Sequence, residues 1–229
     1  MDQFERLKLL INEDNFKKIQ NNNVCVLGLG GVGSYVVESL IRSGIINITI
    51  IDYDKIDITN LNRQLMTNLN NIGKYKTDEI EKRILSINDK VKINKITSLI
   101  NEDNIKNIFD NKNKIDYFID CCDMVKTKKL VIKECLDRNI KFITCTGTGN
   151  KLDPSKLEIT DIRKTSYDPL SKVLRTWINK EHIKGKITCL TSKEQPIKTN
   201  SKTIASSSFV PASAGLLITS YVIKDIIKR

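Results

Sequence analysis

The chain has one histidine, one tryptophan, four prolines and six cysteines among its 229 residues, and no two cysteines form a C-x-x-C pair. His182 alone supplies no histidine cluster, and without paired thiolates at short spacing a structural zinc site is not expected. Cys25, Cys121, Cys122, Cys135 and Cys145 read as reduced, buried, small apolar residues. Cys189 reads either the same way or as a sulfur-relay thiol whose pKa Lys184, Lys186 and Lys193 would lower. The first twenty residues carry charges throughout an amphipathic helix pattern, unlike the basic-then-apolar layout of a secretory signal. The most apolar stretch, 209–227, is interrupted by Ser213, Thr219, Ser220 and Lys224 and reads as too broken for a membrane span. A cytoplasmic protein with no membrane partner is expected.

Acidic residues are also in deficit. Against 38 Lys+Arg stand 27 Asp+Glu, a net charge of +11, which suits a polyanionic partner such as RNA. Heavy use of Lys, Asn and Ile gives the same excess without a function, so charge alone leaves both readings open. Within 161–186, Arg163, Lys164, Lys172, Arg175, Lys180, Lys184 and Lys186 are the cations that would meet RNA phosphates, with solvated helix faces as the alternative.

Short β-branched runs alternate with helical patterns along the chain. Strands are expected at 24–29, 47–52, 91–96, 116–121 and 141–146, with helices near 31–43, 74–87, 102–109 and 126–138 between them. That alternation implies an α/β, Rossmann-like, doubly wound and mainly parallel sheet. After Gly147 the pattern changes to a polar stretch, a helix near 169–180, a strand near 186–191, a Lys/Thr/Ser loop and a final helix. The chain therefore reads as one domain over 1–229. Its nucleotide-binding core would be 1–146, and 147–229 a C-terminal elaboration for substrate and dimer contacts.

The expected first strand runs into G-x-G-x-x-G at Gly28, Gly30 and Gly33, followed by Val36, Val37, Leu40 and Ile41 at helical spacing. Glycines there let the backbone approach a phosphate that the next helix start attracts. Asp52, ending the second strand, is placed to grip a ribose hydroxyl, which does not separate NAD from ATP. The next residues do. The motif DYDKIDITNLNRQ packs Asp52, Asp54, Asn60, Asn62, Arg63 and Gln64 into thirteen positions, and an arginine fork with amides beside a phosphate loop suits a triphosphate. Asp54 and Asp57 read equally as turn caps.

Four motifs, GLGGVGS at 28–34, DYDKIDITNLNRQ at 52–64, IGKYK at 72–76 and DCCD at 120–123, resemble those of the ThiF/MoeB/HesA-type adenylating enzymes related to ubiquitin-activating enzymes. The resemblance covers essentially the whole chain. It implies ATP with Mg2+ in place of NAD, and attack of a substrate carboxylate on the α-phosphate. It places Gly28, Gly30, Gly31, Gly33, Ser34, Asp54 and Gln64 around the nucleotide, Asp52 on the ribose, Asn60 and Arg63 on the phosphates, and Asp123 on the metal. Lys76, three positions after Gly73, matches the family's phosphate lysine in register, with Lys74 as the other candidate. An asparagine often follows the metal-binding aspartate in this family; here it is Met124. Arg6, in FERLKLLI, matches an arginine that reaches the partner subunit's ATP in a homodimer, with a helix-surface arginine as the alternative.

Two subfamilies differ in substrate. The stretch 147–175 and the segments CLTSKE and SFVPASAGLL resemble the tRNA threonylcarbamoyladenosine dehydratases, and the C-x-x-C pairs common in the sulfur-carrier enzymes are absent. The expected reaction is ATP-driven ring closure on a modified adenosine of tRNA. The alternatives are adenylation of a ubiquitin-like sulfur carrier, with a sulfur-relay or cysteine desulfurase partner, and an NAD-dependent oxidoreductase.

Overall fold

A computed structural model describes residues 2–110, 114–201 and 203–228. Seven strands form one sheet: β1 (Asn23–Leu27), β2 (Asn47–Ile51), β3 (Lys92–Ile96), β4 (Tyr117–Asp120), β5 (Lys141–Cys145), β6 (Leu157–Asp161) and β7 (Thr188–Ser192). Their order is β3-β2-β1-β4-β5-β7-β6, all parallel except β6, which runs antiparallel to β7 at one edge. The chain winds outward from β1 to β3 and then returns to place β4 on the other side of β1. That reversal opens a crevice at the carboxyl ends of β1 and β4, where ligands collect in such sheets.

Among the described residues eight α-helices accompany the sheet: α1 (Glu5–Ile11), α2 (Glu13–Gln20), α3 (Gly33–Arg42), α4 (Lys76–Ile87), α5 (Ile105–Phe109), α6 (Val125–Asp137), α7 (Pro169–Lys180) and α8 (Phe209–Ile227). One face of the sheet buries Val36, Val37, Leu40 and Ile41 of α3 with Ala214, Ile218 and Val222 of α8. The other buries Val131 and Ile132 of α6 with Leu174 and Ile178 of α7. Both faces being covered explains why the central strands are continuously apolar, not alternating.

Three features depart from the sequence reading. The expected N-terminal helix is two, because Asn12 takes a left-handed conformation (φ 65°) and its side chain caps α2 by accepting the Asn15 N–H at 3.0 Å. The edge strand β6 lies inside what read as irregular elaboration. The last apolar segment is one unbroken 19-residue helix, long and apolar enough by length and composition to cross a membrane. Here it packs on the body of the protein: Gly215 lies so close to the Val32 carbonyl and Tyr35 that a Cβ would intrude, and Thr219 Oγ1 donates to the Gly215 carbonyl at 3.1 Å. Serine and threonine returning their hydroxyl bonds to the preceding turn do not interrupt a helix.

Candidate active site

The loop after β1 begins at Gly28, whose φ of 86° favours glycine and whose N–H donates to the Ile51 carbonyl at 2.8 Å. A side chain at Gly28 would press on the backbone of Cys121 and Cys122, so this glycine lets the loops after β1 and β4 pass side by side. Asp52 ends the neighbouring strand and is buried. Its carboxylate accepts the Leu29 N–H at 2.6 Å and the Asp54 N–H at 2.8 Å, which ties the glycine loop to the loop after β2. Burial raises the Asp52 pKa against the opposing pull of Lys76 and these two N–H groups.

Together these loops form one wall of a cavity of about 590 Å³. Gly28, Gly30, Gly31, Asp52, Asp54, Asn60, Arg63, Gln64, Lys76 and Asp123 all line it. Lys76, the first residue of α4, is 5% exposed and pairs with Asp54 at 2.7 Å, whereas Lys74 is exposed and lies outside the lining. Asp54 is therefore no mere turn cap; that part is played by Asp57, which caps the turn 58–60 through the Thr59 N–H. Arg63 is braced by the Thr59 carbonyl and the Asn62 side chain at 2.8 and 2.9 Å. Gln64 is buried with its Oε1 unpartnered. An acceptor orphaned in the wall of a cavity suits a ligand that brings a donor.

Three candidates lie outside this lining. A Cβ on Gly33 would collide with the Gly28 carbonyl, so this glycine serves the packing of α3 against the turn. Ser34 Oγ accepts the Leu65 N–H at 3.2 Å beneath the cavity wall. Arg6 is exposed on α1, beside Leu9 and Leu10 at 83% and 80% exposure. It does not line the cavity of its own chain.

Asp123 stands in the loop between β4 and α6, exposed and without a hydrogen bond or ion pair among the described residues. No group of three or more His, Cys, Asp or Glu residues among the described residues is arranged to cage a metal. One open carboxylate fits Mg2+, which is commonly held by one or two carboxylates, phosphate oxygens and waters. Beneath the loop, Lys128 and Asp120 form a fully buried ion pair at 2.9 Å. Thr144 on β5 joins both, accepting from Lys128 at 3.0 Å and donating to Asp120 at 2.6 Å. The other Asp120 oxygen accepts the Cys122 N–H at 3.1 Å, one residue before Asp123.

Residues outside the predicted set complete the cavity. Thr146–Lys151, after β5, and Asp168–Leu170 form the wall on the far side of β4 from the glycine loop, and Pro196, Ile204 and Ser206 also line the cavity. Asn150, left-handed at φ 58°, joins these parts. Its N–H donates to the Ala205 carbonyl, its Oδ1 accepts the Ala205 N–H, and its carbonyl accepts the Ile197 N–H, at 2.7 to 2.8 Å. A conformation that asparagine tolerates was the only local signal for this junction.

A second cavity, of about 700 Å³, opens at the amino ends of the strands between Lys141, Phe142 and the turn His182–Lys186. It lacks the glycine loop and Asp52, Asp54 and Asp123, and lies at the end of the sheet where such folds do not place ligands. Cys189 is fully buried in β7, and burial raises its thiol pKa. Of the two readings of the sequence, this burial supports the packed thiol over the lysine-activated relay thiol.

Residues 4–228 match the ThiF family. The tRNA threonylcarbamoyladenosine dehydratase of Bacillus subtilis (strain 168) is 36% identical over an alignment taking in 100% of this chain and 96% of that protein. The crystal structure of the Escherichia coli tRNA N6-threonylcarbamoyladenosine dehydratase in complex with AMP superposes with a TM-score of 0.93, 30% identity, and coverage of 99% of this chain and 94% of that one. The structure of the same enzyme in complex with ATP gives a TM-score of 0.92, 30% identity and the same coverage.

Proposed function

The chain belongs to the ThiF family, and from that premise we propose that it is an ATP-dependent tRNA threonylcarbamoyladenosine dehydratase acting in the cytoplasm. The observation that carries this is the single cavity with two unlike walls. The glycine loop, Arg63 and Lys76 on one side offer donors to phosphates, and the wall 146–151 across from them is open to a second reactant. ATP takes the first wall, with Asp52 on the ribose. Asp123 would hold Mg2+, which when bound would supply positive charge to offset the negative charge of the phosphates.

One oxygen of the substrate's threonyl carboxylate attacks the α-phosphorus. The bond from that phosphorus to the β-bridging oxygen breaks, and pyrophosphate leaves with the electron pair. The carbamoyl group then attacks the activated acyl carbon and gives up a proton to solvent. AMP leaves with the acyl–oxygen electron pair, and the ring closes with net loss of one water. No protein nucleophile is needed. Both reacting groups sit on one nucleoside, so the site has only to orient them. Incubating the protein with ATP, Mg2+ and modified tRNA, then analysing nucleosides by mass spectrometry, should show the threonylcarbamoyl nucleoside converted to a form lighter by one water. Unchanged nucleoside, with a Gly-Gly-ended carrier protein adenylated in its place, would refute the assignment.

The functional unit is a homodimer in which Arg6 completes the partner subunit's site. Support comes from the exposed Leu9 and Leu10 beside it, and from the absence of Arg6 from its own chain's cavity. Arg6→Ala and Asp123→Ala proteins should each be inactive, and mixed subunits should regain activity by uniting two intact residues at one site. Confirmed heterodimers without activity would remove the trans role.

The tRNA approaches over the start of α7. Asp168 and Pro169 line the cavity, and twelve residues of helix carry Lys180 about 18 Å along the axis from that mouth. Lys184 and Lys186 line the distant second cavity, so the seven cations do not form one patch. Arg163 is engaged with the Ile183 and Gly185 carbonyls at 2.8 and 2.9 Å, and Arg175 with Thr165, so reversing either charge disturbs structure as well as surface. Lys164 and Lys172 are exposed and close to Asp168 in sequence. Lys164→Glu with Lys172→Glu should weaken tRNA binding and flatten its log–log salt dependence by about one unit for each phosphate no longer neutralised. Lys184→Glu with Lys186→Glu should change neither; the opposite result would move the RNA to the far end of the sheet.

A further inference from the structure

Lys151 is 3% exposed, yet it lines the cavity on the wall facing the glycine loop. Among the described residues its Nζ has one acceptor, the Gly147 carbonyl at 3.1 Å, for an ammonium group that carries three N–H donors. It forms no ion pair among the described residues. The two acids nearest in charge are already occupied. Asp168 accepts from the Gly147 N–H at 2.6 Å, the Leu170 N–H at 2.9 Å and the Ser171 hydroxyl at 3.0 Å. Glu194 accepts from the N–H groups of Leu152 and Asp153, at 2.9 Å in each case.

A buried cation without a counter-ion is unfavourable unless something compensates for the lost water. Burial lowers the Lys151 pKa, opposed by the more distant Asp168 and Glu194. Such a group is poised to gain from an incoming anion, since pairing returns the energy that desolvation removed. Two anions meet in this cavity. The phosphates already have the glycine loop, Arg63 and Lys76 on the opposite wall, and the second is the carboxylate awaiting activation.

We propose that Lys151 is a substrate-binding residue that receives the threonyl carboxylate of the modified nucleoside and presents its free oxygen to the α-phosphorus. The inference rests on the tRNA dehydratase reading. Adenylation removes the carboxylate charge, so the ion pair weakens as the acyl group becomes ready for ring closure. The ammonium keeps its proton throughout, and no atom passes from lysine to substrate.

The test uses the full chain with Lys151→Met and Lys151→Arg, ATP·Mg titrated by calorimetry, and steady-state conversion of modified tRNA. Lys151→Met should lower kcat/KM for modified tRNA by about 100-fold, the scale of losing one partner of a desolvated charge pair, with KM for tRNA raised. ATP affinity, melting temperature and binding of tRNA lacking the modification should stay at parental values. Lys151→Arg should recover part of the loss. A methionine variant with kcat/KM close to parental, or one whose loss is matched by weaker ATP binding, would overturn the role. Failure of the parental protein to convert modified tRNA would overturn the functional reading itself, and this inference with it.

Discussion

Asp123→Ala is expected to reduce turnover by about 10³-fold, since the Mg2+ it is proposed to hold would supply transition-state charge stabilisation worth several kcal/mol. The fold should be indifferent. Asp123 is exposed, stands between β4 and α6, and has no protein partner among the described residues, so its removal belongs with surface substitutions that shift stability by less than about 0.5 kcal/mol. ATP·Mg should bind more weakly, while ATP binding in the absence of divalent cation should be unaltered. Arg63→Lys should also fail in turnover, because a point charge cannot reproduce a fork already braced by Thr59 and Asn62. Single-turnover pyrophosphate release with unchanged melting curves is the measurement. Near-parental release from the Asp123 variant would remove that residue from the metal site.

The largest effect on stability is expected at Lys128. Its partner Asp120 is equally inaccessible, and Thr144 binds both. Burial pulls the Lys128 ammonium toward neutrality, but the attraction of Asp120 outweighs it, and its pKa rises above the ordinary lysine value. By linkage, a raised lysine contributes fully below its unfolded-state pKa and loses its contribution only as pH climbs through the folded value, so neutral solution retains all of it. Lys128→Met leaves Asp120 as an uncompensated buried charge and should cost about 3–5 kcal/mol. For a chain of this size that corresponds to a fall in melting temperature of roughly 6–20 °C. Adding Asp120→Leu should restore much of the loss, because an apolar pair of similar volume avoids desolvation altogether. Urea unfolding of the parent, both single variants and the double variant measures the coupling. Additive losses would show that the pair does not act as a unit.

The Lys128 cluster also shows where reading the sequence stops. Its members lie at positions 120, 128 and 144, a spacing with no helical or strand period, and only the pairing of β4 with β5 under α6 unites them. The glycine loop and the 52–64 segment were legible because chemistry and chain are contiguous there. Even so, one motif answers two demands: Gly28 and Gly30 face the cavity, whereas Gly33 and Ser34 serve the helix packed below it. The facing wall was hidden for a different reason. Lys151 reads as one lysine among many until burial singles it out, and Asn150 reaches Ala205, 55 positions away, and Ile197 through two backbone hydrogen bonds and one to its side chain, which no local pattern announces. The five leading strands were readable, each to within about two residues, from β-branched runs between helical patterns. The edge strand β6 was not, because its residues are only partly buried and carry no continuous apolar run.

The packing of α8 on the start of α3 bears on how the molecule is made. Pro211 lies against Gly31, Gly215 against Val32, and Thr219 reaches the Val36 carbonyl across 183 positions of sequence. A ribosome extrudes the glycine loop well before the helix that backs it, and contacts between such distant positions are slow to form. Until α8 emerges, the part of α3 that it covers stays exposed even though β1 and α4 already pack on that helix, and the nascent chain carries its nucleotide loop on an unfinished support. A finished support for the nucleotide loop therefore waits on the emergence of α8, well after the loop itself has been made.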